Sequence, residues 1–182
     1  MDIPRWARHA RWAALIGVLC TAVGVLPATA SGRGSFKTVR LTGHWVDGPD
    51  DHDYIAPDCH PDAPPPGCRV TNTGHSQYTG DWAGTSQWQN GVLVASNTIY
   101  VQGIETFTGH VKGCGTGTMT WTMSVVIRDR KGVGTFRVIP ALGTGRLRHV
   151  RGFGTLRMHT SADPTGGNHG RQHGRLRCRR RR

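Results

Sequence analysis

The chain has 182 residues, 26 of them glycine, and a formal net charge of +12 from 23 lysines and arginines against 11 acidic residues. This length suits one domain with its own core and argues against several domains of ordinary size. Segments with a helical period are absent, whereas Thr, Val and aromatic residues recur in short runs. We therefore expect an all-β protein.

The first thirty residues have the features of a secretory signal peptide. Three arginines precede an apolar run from Trp12 to Leu26, and Ala28-Thr29-Ala30 fits an A-x-A cleavage site. The run is shorter than the roughly 20 residues that a membrane span needs. We expect residues 1–30 to be removed after Ala30, which leaves a secreted protein without a membrane span. A retained membrane anchor is the alternative.

Alternating apolar residues predict eight or nine strands in the mature chain. Besides a hairpin at 85–96, the predicted strands are 36–45, 104–111, 116–127, 133–139, 146–149, 153–160 and 174–178. Eight strands with one apolar face each favour a small closed antiparallel barrel over residues 31–160, because closure removes exposed edges. An open two-sheet sandwich fits the same pattern less economically.

The predicted hairpin is centred on Asn90-Gly91, the strongest two-residue turn signal in the chain. Its register places Trp88 opposite Leu93, Trp82 opposite Ile99 and Asp81 opposite Tyr100. The bulky apolar side chains then lie mainly on one face. In the 116–127 strand the apolar face holds Trp121 and Met123, while threonines occupy the other face. We expect the interior to bind a small apolar ligand through Trp82, Trp88, Trp121 and Met123.

Two segments lack strand periodicity. Residues 47–77 are rich in Asp and Pro and are interpreted as a long surface loop inserted in the barrel. Residues 161–182 are interpreted as a Gly/His linker and an arginine-rich tail, since seven arginines lie in the last twelve residues. The tail is a candidate for binding an anionic cell-surface polymer. No nucleic acid is expected, because those twelve residues contain no Phe, Tyr or Trp for base stacking. A disordered solubilising tail is the alternative.

Four cysteines remain after signal cleavage, as expected for disulfides in an exported protein. They allow three pairings. We favour Cys59–Cys68, which would close a short Pro-rich loop, with Cys114–Cys178 as the remaining pair. The chain contains no C-x₂-C spacing of the kind that would indicate a zinc site. The acidic segment 50–60 could hold a hard cation, but it does not match an EF-hand loop. Neither a metal nor a cofactor is expected.

The Gly-rich stretch at 143–156 decides between a phosphate loop and a turn between strands. It has no lysine of the P-loop kind, and no helix follows Gly143-Thr144-Gly145, so a turn is favoured. Its pattern resembles the signature of allene oxide cyclase-like and dirigent-like barrels, especially uncharacterised bacterial proteins often found in actinobacteria. Segments at 78–85, 103–118 and 132–139 are similar in order and spacing. The resemblance implies an eight-stranded antiparallel barrel whose cavity takes an apolar ligand.

Glu105 is the candidate catalytic residue. It lies between Ile104 and Thr106 on the same side of a neutral strand as Phe107. If that side faces the interior, burial would raise the pKa of its carboxyl and permit acid/base chemistry. Two functions remain open. We favour a non-catalytic barrel that binds a small apolar molecule or has a structural role. The alternative is an isomerase or cyclase that guides a reactive intermediate.

Overall fold

The computed structural model describes residues 35–48, 51–54, 66–161 and 167–180, with only the backbone of 51–54. Its elements, in chain order, are β1 (Phe36–Asp47), β2 (Asp51–Tyr54), β3 (Arg69–Gly80), β4 (Trp82–Ala95), β5 (Thr98–Val111), β6 (Gly115–Arg128), β7 (Lys131–Ile139), a 3-10 turn (Gly145–Leu147), β8 (Arg151–His159) and β9 (His169–Arg179). None of the described segments is an α-helix, in agreement with the all-β expectation.

Eight of these strands form a closed antiparallel barrel, as the sequence predicts. Neighbouring strands follow the order β1-β9-β8-β7-β6-β5-β4-β3, and pairing of β1 with β3 closes the ring. The short β2 pairs with the first half of β3, beyond the part that β1 covers. Closure leaves these eight strands without a free edge.

The register of the barrel sets the width of its interior. Val70 on β3 is connected around the barrel, from each strand to its paired neighbour, to Gly43 on β1. Gly43 pairs with Gly80 on β3, so one circuit of the barrel shifts the register by ten residues. Such a stagger requires strongly tilted strands, and an eight-stranded barrel is just wide enough to be filled by side chains or to hold one small ligand.

The two ends of the interior differ in composition. The inward side chains of β5 run from Ile99 and Val101 through Glu105 to Phe107 and Val111. Phe107 belongs to a cluster with Trp82, Trp121 and Phe136, which we call the aromatic end. Ile99 and Val101 pack on two smaller clusters, which we call the valine end and which contain Val70, Val94, Val125, Ile127 and Leu156. Glu105 therefore lies between an aromatic and an aliphatic region.

The aromatic end is filled by rings in edge-to-face contact. The Trp82 ring centroid lies 5.7 Å from that of Trp121, 5.9 Å from that of Phe136 and 6.1 Å from that of Phe107. A Cβ on Gly43 would lie 2.7 Å from the Trp82 ring, so glycine at this position makes room for it. Edge-to-face packing of this kind stabilises a core beyond the area that it buries.

A disulfide joins Cys114, in the turn before β6, to Cys178 on β9. Both cysteines are buried beside the aromatic end, together with Leu147 and Val150 from the 140–150 segment. Cys68 is also disulfide-bonded. Its predicted partner, Cys59, lies outside the described residues, as do the predicted signal peptide and the side chains of the acidic segment 50–60.

No helix within the described ranges is long and apolar enough to cross a membrane.

The predicted hairpin turn at Asn90-Gly91 is wrong. β4 continues through both residues to Ala95, and the chain reverses at Ser96-Asn97, where Ser96 has a φ of 53°. The true register sets Trp88 opposite Glu105 and Trp82 opposite Val111, rather than opposite Leu93 and Ile99. Pairing of β4 with long strands on both sides outweighs the local turn preference of Asn-Gly.

The 47–77 segment is only partly a loop, because β2 and most of β3 fall within it. The inward positions of β3 include Asn72, Gly74 and Ser76 between the apolar Val70 and Tyr78. Polar and glycine residues at inward positions remove the apolar alternation on which the prediction depended.

The same cause explains the wrong interpretation of the C-terminus. The predicted linker and tail contain β9, which pairs with β1 over its whole length and with β8 from His169 to Arg177. Its inward positions are Gly170, Gln172, Gly174, Leu176 and Cys178, so only the last two are apolar. The predicted strand at 146–149 is instead part of the 3-10 turn and the residues after it.

Candidate functional site

Glu105 points into the barrel and is 4% exposed. Because strand residues alternate between faces, its inward neighbours on β5 are Gly103 and Phe107. Its cross-strand partners are Trp88 on β4 and Trp121 on β6. The carboxyl group is therefore enclosed between two tryptophans, midway between the aromatic end and the valine end.

Three donors from three different strands reach this carboxylate. The Tyr78 hydroxyl donates to Oε1 at 2.7 Å, and the Ser86 hydroxyl donates to the same oxygen at 2.5 Å. The indole N–H of Trp121 donates to Oε2 at 3.0 Å. Both carboxylate oxygens are thus hydrogen-bonded, as a buried charged group requires.

Burial raises the pKa of Glu105 from its ordinary value of 4.5 to about 7. The hydrogen bonds from Ser86, Tyr78 and Trp121 act in the opposite direction, and the charge of Asp47 adds to the increase. Burial and the neighbouring Glu105 charge together raise the pKa of Tyr78 well above its ordinary value. Near neutral pH, Glu105 is consequently present in both protonation states while Tyr78 keeps its proton.

A second polar group extends from this carboxylate toward the end of β1. The Ser76 hydroxyl donates to Oδ1 of Asp47 at 2.5 Å, and the Trp88 indole N–H donates to Ser76 Oγ at 3.1 Å. Ser76 lies directly opposite Ser86 in the β3–β4 pair. Since Asp47 is half-buried, these side chains form a polar line from Glu105 toward the solvent.

Two buried amides of the barrel have a polar atom without a hydrogen-bond partner among the described residues, namely Asn90 Oδ1 and Gln172 Nε2. The Asn90 amide occupies the space that a side chain at position 103 would need, so it lies over the backbone next to Glu105. Buried polar atoms in folded proteins are normally paired, and an orphan is a place where another molecule can bind.

The valine end is less enclosed than the aromatic end. Inward residues Val92, Ile99, Val101, Met123 and Met158 are only partly buried, whereas Trp82, Phe107 and Val111 at the other end are fully buried. Two grooves, of about 570 and 460 Å³, lie on the outer wall around Gln89 and Ile104. Access from solvent to Glu105 is therefore expected through the valine end.

The structure brings together most of the residues singled out from the sequence. Trp88 and Trp121 flank Glu105, Met123 lies one inward position beyond Trp121 toward the valine end, and Trp82 lies deeper, in the aromatic end. Sequence reasoning missed Tyr78 and Ser86. The repeated small polar residues of β3 and β4 were the available signal, and the wrong register concealed it.

The predicted Asp81–Tyr100 pair does not form. Asp81 lies in the turn between β3 and β4, where it accepts the backbone N–H of Thr42 at 3.0 Å and pairs with Lys112 at 3.1 Å. The hydrogen bond from Thr42, followed by the bond from Lys112, lowers the pKa of its carboxyl. No group of three or more potential metal ligands occurs among the side chains that the structure describes.

These features define the class of the protein: an eight-stranded antiparallel barrel with a buried carboxylate inside. A similar fold occurs in the pterocarpan synthase dirigent protein GePTS1, with a TM-score of 0.51 and 15% identity over 81% of this chain and 88% of that one. A DUF3224 protein from Shewanella oneidensis MR-1 has a TM-score of 0.50 and 16% identity over 80% and 100%.

The chain itself belongs to the DUF3224 family of proteins of unknown function, which matches residues 65–165. This segment runs from just before β3 to beyond the end of β8 and contains Tyr78, Ser86, Glu105 and Trp121. No curated protein matches the sequence. The identities to the solved structures are low, so they establish the fold and leave the function to be argued from the site.

Proposed function

We propose that this protein is an exported binding barrel that takes up one small, mostly apolar molecule through the valine end. The observation that carries this function is Glu105, a buried carboxylate at the inner limit of a partly exposed aliphatic lining. The polar group of the ligand would meet Glu105 and Asn90, and its apolar body would contact Val101 and Met123. Pockets that combine apolar walls with a few fixed polar groups are typical of small-molecule sites.

The energetic cost of Glu105 supports a functional role over plain packing. A pKa raised from 4.5 to about 7 costs the folded protein roughly 3 kcal/mol at neutral pH relative to an unperturbed carboxyl. An apolar residue of similar size would avoid this cost. Residues that reduce stability in this way are commonly kept for binding or catalysis.

The site also indicates the chemistry of the ligand. Protonated Glu105 can donate a hydrogen bond to a carbonyl or ether oxygen, and ionised Glu105 can accept one from a hydroxyl. A permanently anionic group next to it would be repelled by Glu105 and Asp47. A neutral molecule with one oxygen function therefore fits the site best.

One observation favours the isomerase or cyclase alternative. Glu105 and Tyr78 are two titratable groups in direct contact, and the carboxyl pKa near 7 suits a general acid or base at neutral pH. In that case the molecules eluted from the wild-type protein and from Glu105→Gln would be isomers with different chromatographic retention. A binding protein would release the same molecule from both.

The proposed compartment is extracellular. It is supported by the signal-peptide features of residues 1–30 and by the Cys114–Cys178 disulfide, a bond that persists in oxidising environments.

Binding of the neutral dye N-phenyl-1-naphthylamine, which fluoresces in apolar surroundings, tests the proposed site. Val101→Trp would fill the valine end and is expected to weaken dye binding by about tenfold or more, equivalent to about 1.4 kcal/mol. Tyr100→Trp is the matched control, since residue 100 lies on the outer face of the same strand. Thermal melting of both variants verifies that they fold. Equal dye binding by Val101→Trp and wild type would place the dye on the outer wall and contradict the proposal.

A further inference from the structure

The outer wall formed by β7, β8, β9 and β1 is strongly basic. With Lys131 at its margin, it displays eight exposed arginines, which we call the basic wall: Arg40, Arg137, Arg151, Arg157, Arg171, Arg175, Arg177 and Arg179. From the sequence alone, the last four of these arginines were assigned to a C-terminal tail. The strand β9 instead fixes them in a row on a rigid surface.

The basic wall has no acidic counterpart. The only acidic residue in its four strands is Asp47, whose carboxylate accepts the inward Ser76 hydroxyl. None of the eight arginines forms an ion pair within the part of the chain that the structure describes; Arg177 instead stacks on the Phe36 ring, 5.0 Å from its centroid. The outward positions of β3 to β6 differ sharply, since most of them hold Thr, Ser or Gln.

The strand register sets like charges directly opposite each other. Arg175 pairs with Arg40 across β1–β9, Arg177 with Arg151 across β8–β9, and Arg171 with Arg157 in the same pair of strands. Like charges at directly opposed positions destabilise a sheet. The like-charge pairs therefore lower the stability of the isolated protein. An anion bound across the wall would reduce the repulsion between them.

The geometry of the wall suits an extended anionic chain. Alternate residues of a strand stand roughly 7 Å apart, so β9 presents a straight row of guanidinium groups. A groove of about 460 Å³ crosses this row between Arg40, Arg175 and Phe153, and its floor includes Gly154 and Gly174. Guanidinium groups bind phosphate oxygens in a two-pronged manner that lysine does not reproduce.

We propose that the basic wall binds an extended phosphodiester polymer of the cell surface, at a site separate from the barrel interior. The predicted export places the protein where such polymers occur. A nucleic acid strand is disfavoured because binding of single strands uses several free aromatic rings. On this wall the Phe36 ring is engaged by Arg177, which leaves Phe153, 58% exposed, as the remaining exposed phenyl ring of its described strands.

The test measures the affinity of the protein, expressed from the full chain, for fluorescently labelled poly(glycerol phosphate) and for oligo(dT) with the same number of phosphates. The variant replaces Arg157, Arg171 and Arg175 with serine. A matched control replaces three exposed arginines outside the wall, Arg69, Arg146 and Arg148, with serine. Both variants have the same net charge, so a difference between them reports position rather than total charge.

We expect wild type and control to bind poly(glycerol phosphate) with affinities within about twofold of each other. The wall variant is expected to bind roughly tenfold or more weakly. Its slope of log affinity against log salt concentration should be smaller by about two, because about two fewer counterions are released. The wall variant is also expected to melt no lower than wild type, because two like-charge pairs are removed. The proposal is overturned if the polymer does not bind at 50 mM salt, if both variants lose affinity equally, or if oligo(dT) binds about tenfold more tightly than the glycerol polymer.

Discussion

At the scale of single residues, the chain concentrates its unusual chemistry at Glu105. This is the only glutamate in the sequence, and it occupies an interior where the neighbouring cross-strand positions hold tryptophan. Its hydroxyl and indole donors stabilise the ionised form, but burial outweighs them and raises the pKa of the carboxyl to about 7. At neutral pH, small changes in the surroundings of Glu105 therefore change its protonation state.

This raised pKa predicts a pH-dependent stability that Glu105→Gln removes. Between pH 4.5 and 7 the folded protein holds a proton that the unfolded chain has released, so stability from this group is fully present below pH 4.5 and falls as pH rises through 7. Between pH 5 and pH 8, the free energy of unfolding of wild type, measured in urea, is expected to fall by about 2 kcal/mol relative to that of Glu105→Gln. The glutamine can accept from Trp121 and donate to the two hydroxyls, so the variant should fold.

Selective ¹³C labelling of glutamate provides a direct control, because Glu105 contributes the only side-chain glutamate carboxyl signal. A titration midpoint near 7 would agree with the stability data. If the midpoint lay near 4.5 and the stability difference between the two proteins stayed constant with pH, the carboxyl would be solvated and the described burial would be wrong.

At the scale of elements, the sequence predicts a strand wherever inward positions are apolar. The inward residues of β6, Met119 to Ile127, alternate without interruption, and their face was assigned correctly. β3 was missed and β9 was predicted only over 174–178, because Ser76, Gly74 and Gln172 occupy inward positions. Such residues pack inside this barrel because large rings elsewhere fill the space, and that compensation is visible only in three dimensions.

The position of the β4–β5 turn can be tested at this scale by a substitution in β4. Gly91 lies in the middle of β4 without a positive φ, and the nearest neighbouring atom to a Cβ there would be Gln102 O at 3.8 Å. Gly91→Ala is therefore expected to keep or raise the stability of the protein, by up to about 1 kcal/mol, because glycine weakens a strand interior. In a turn at Asn90-Gly91 the same change would destabilise it.

Gly43→Ala is the matched control for this measurement, since its Cβ would press on the Trp82 ring at 2.7 Å. It should lower the free energy of unfolding by about 1–3 kcal/mol through overpacking. A destabilised Gly91→Ala variant beside a tolerated Gly43→Ala variant would indicate the shorter hairpin and contradict the described register.

At the scale of the whole molecule, the repeated one-sided apolar faces were sufficient to predict a closed barrel, although the hairpin at 85–96 is a single strand, β3 was missed and 146–149 is not a strand. The candidate site could be predicted only in part. Glu105 was recognisable as a single charge in a neutral strand, but its partners Tyr78 and Ser86 depend on β3 and on the true register of β4. The basic wall was not predicted, because only 174–178 of β9 was predicted as a strand and its arginines were interpreted as part of a tail.

The central claim, that the interior between Glu105 and the valine end holds a small molecule, is tested most directly by native mass spectrometry of the protein secreted by its own host. We predict one bound small molecule on wild type and on Tyr100→Trp, and none on Val101→Trp, which fills the same space. A wild-type protein that carries no bound molecule and also fails to take up N-phenyl-1-naphthylamine would contradict the claim and indicate a barrel packed by its own side chains.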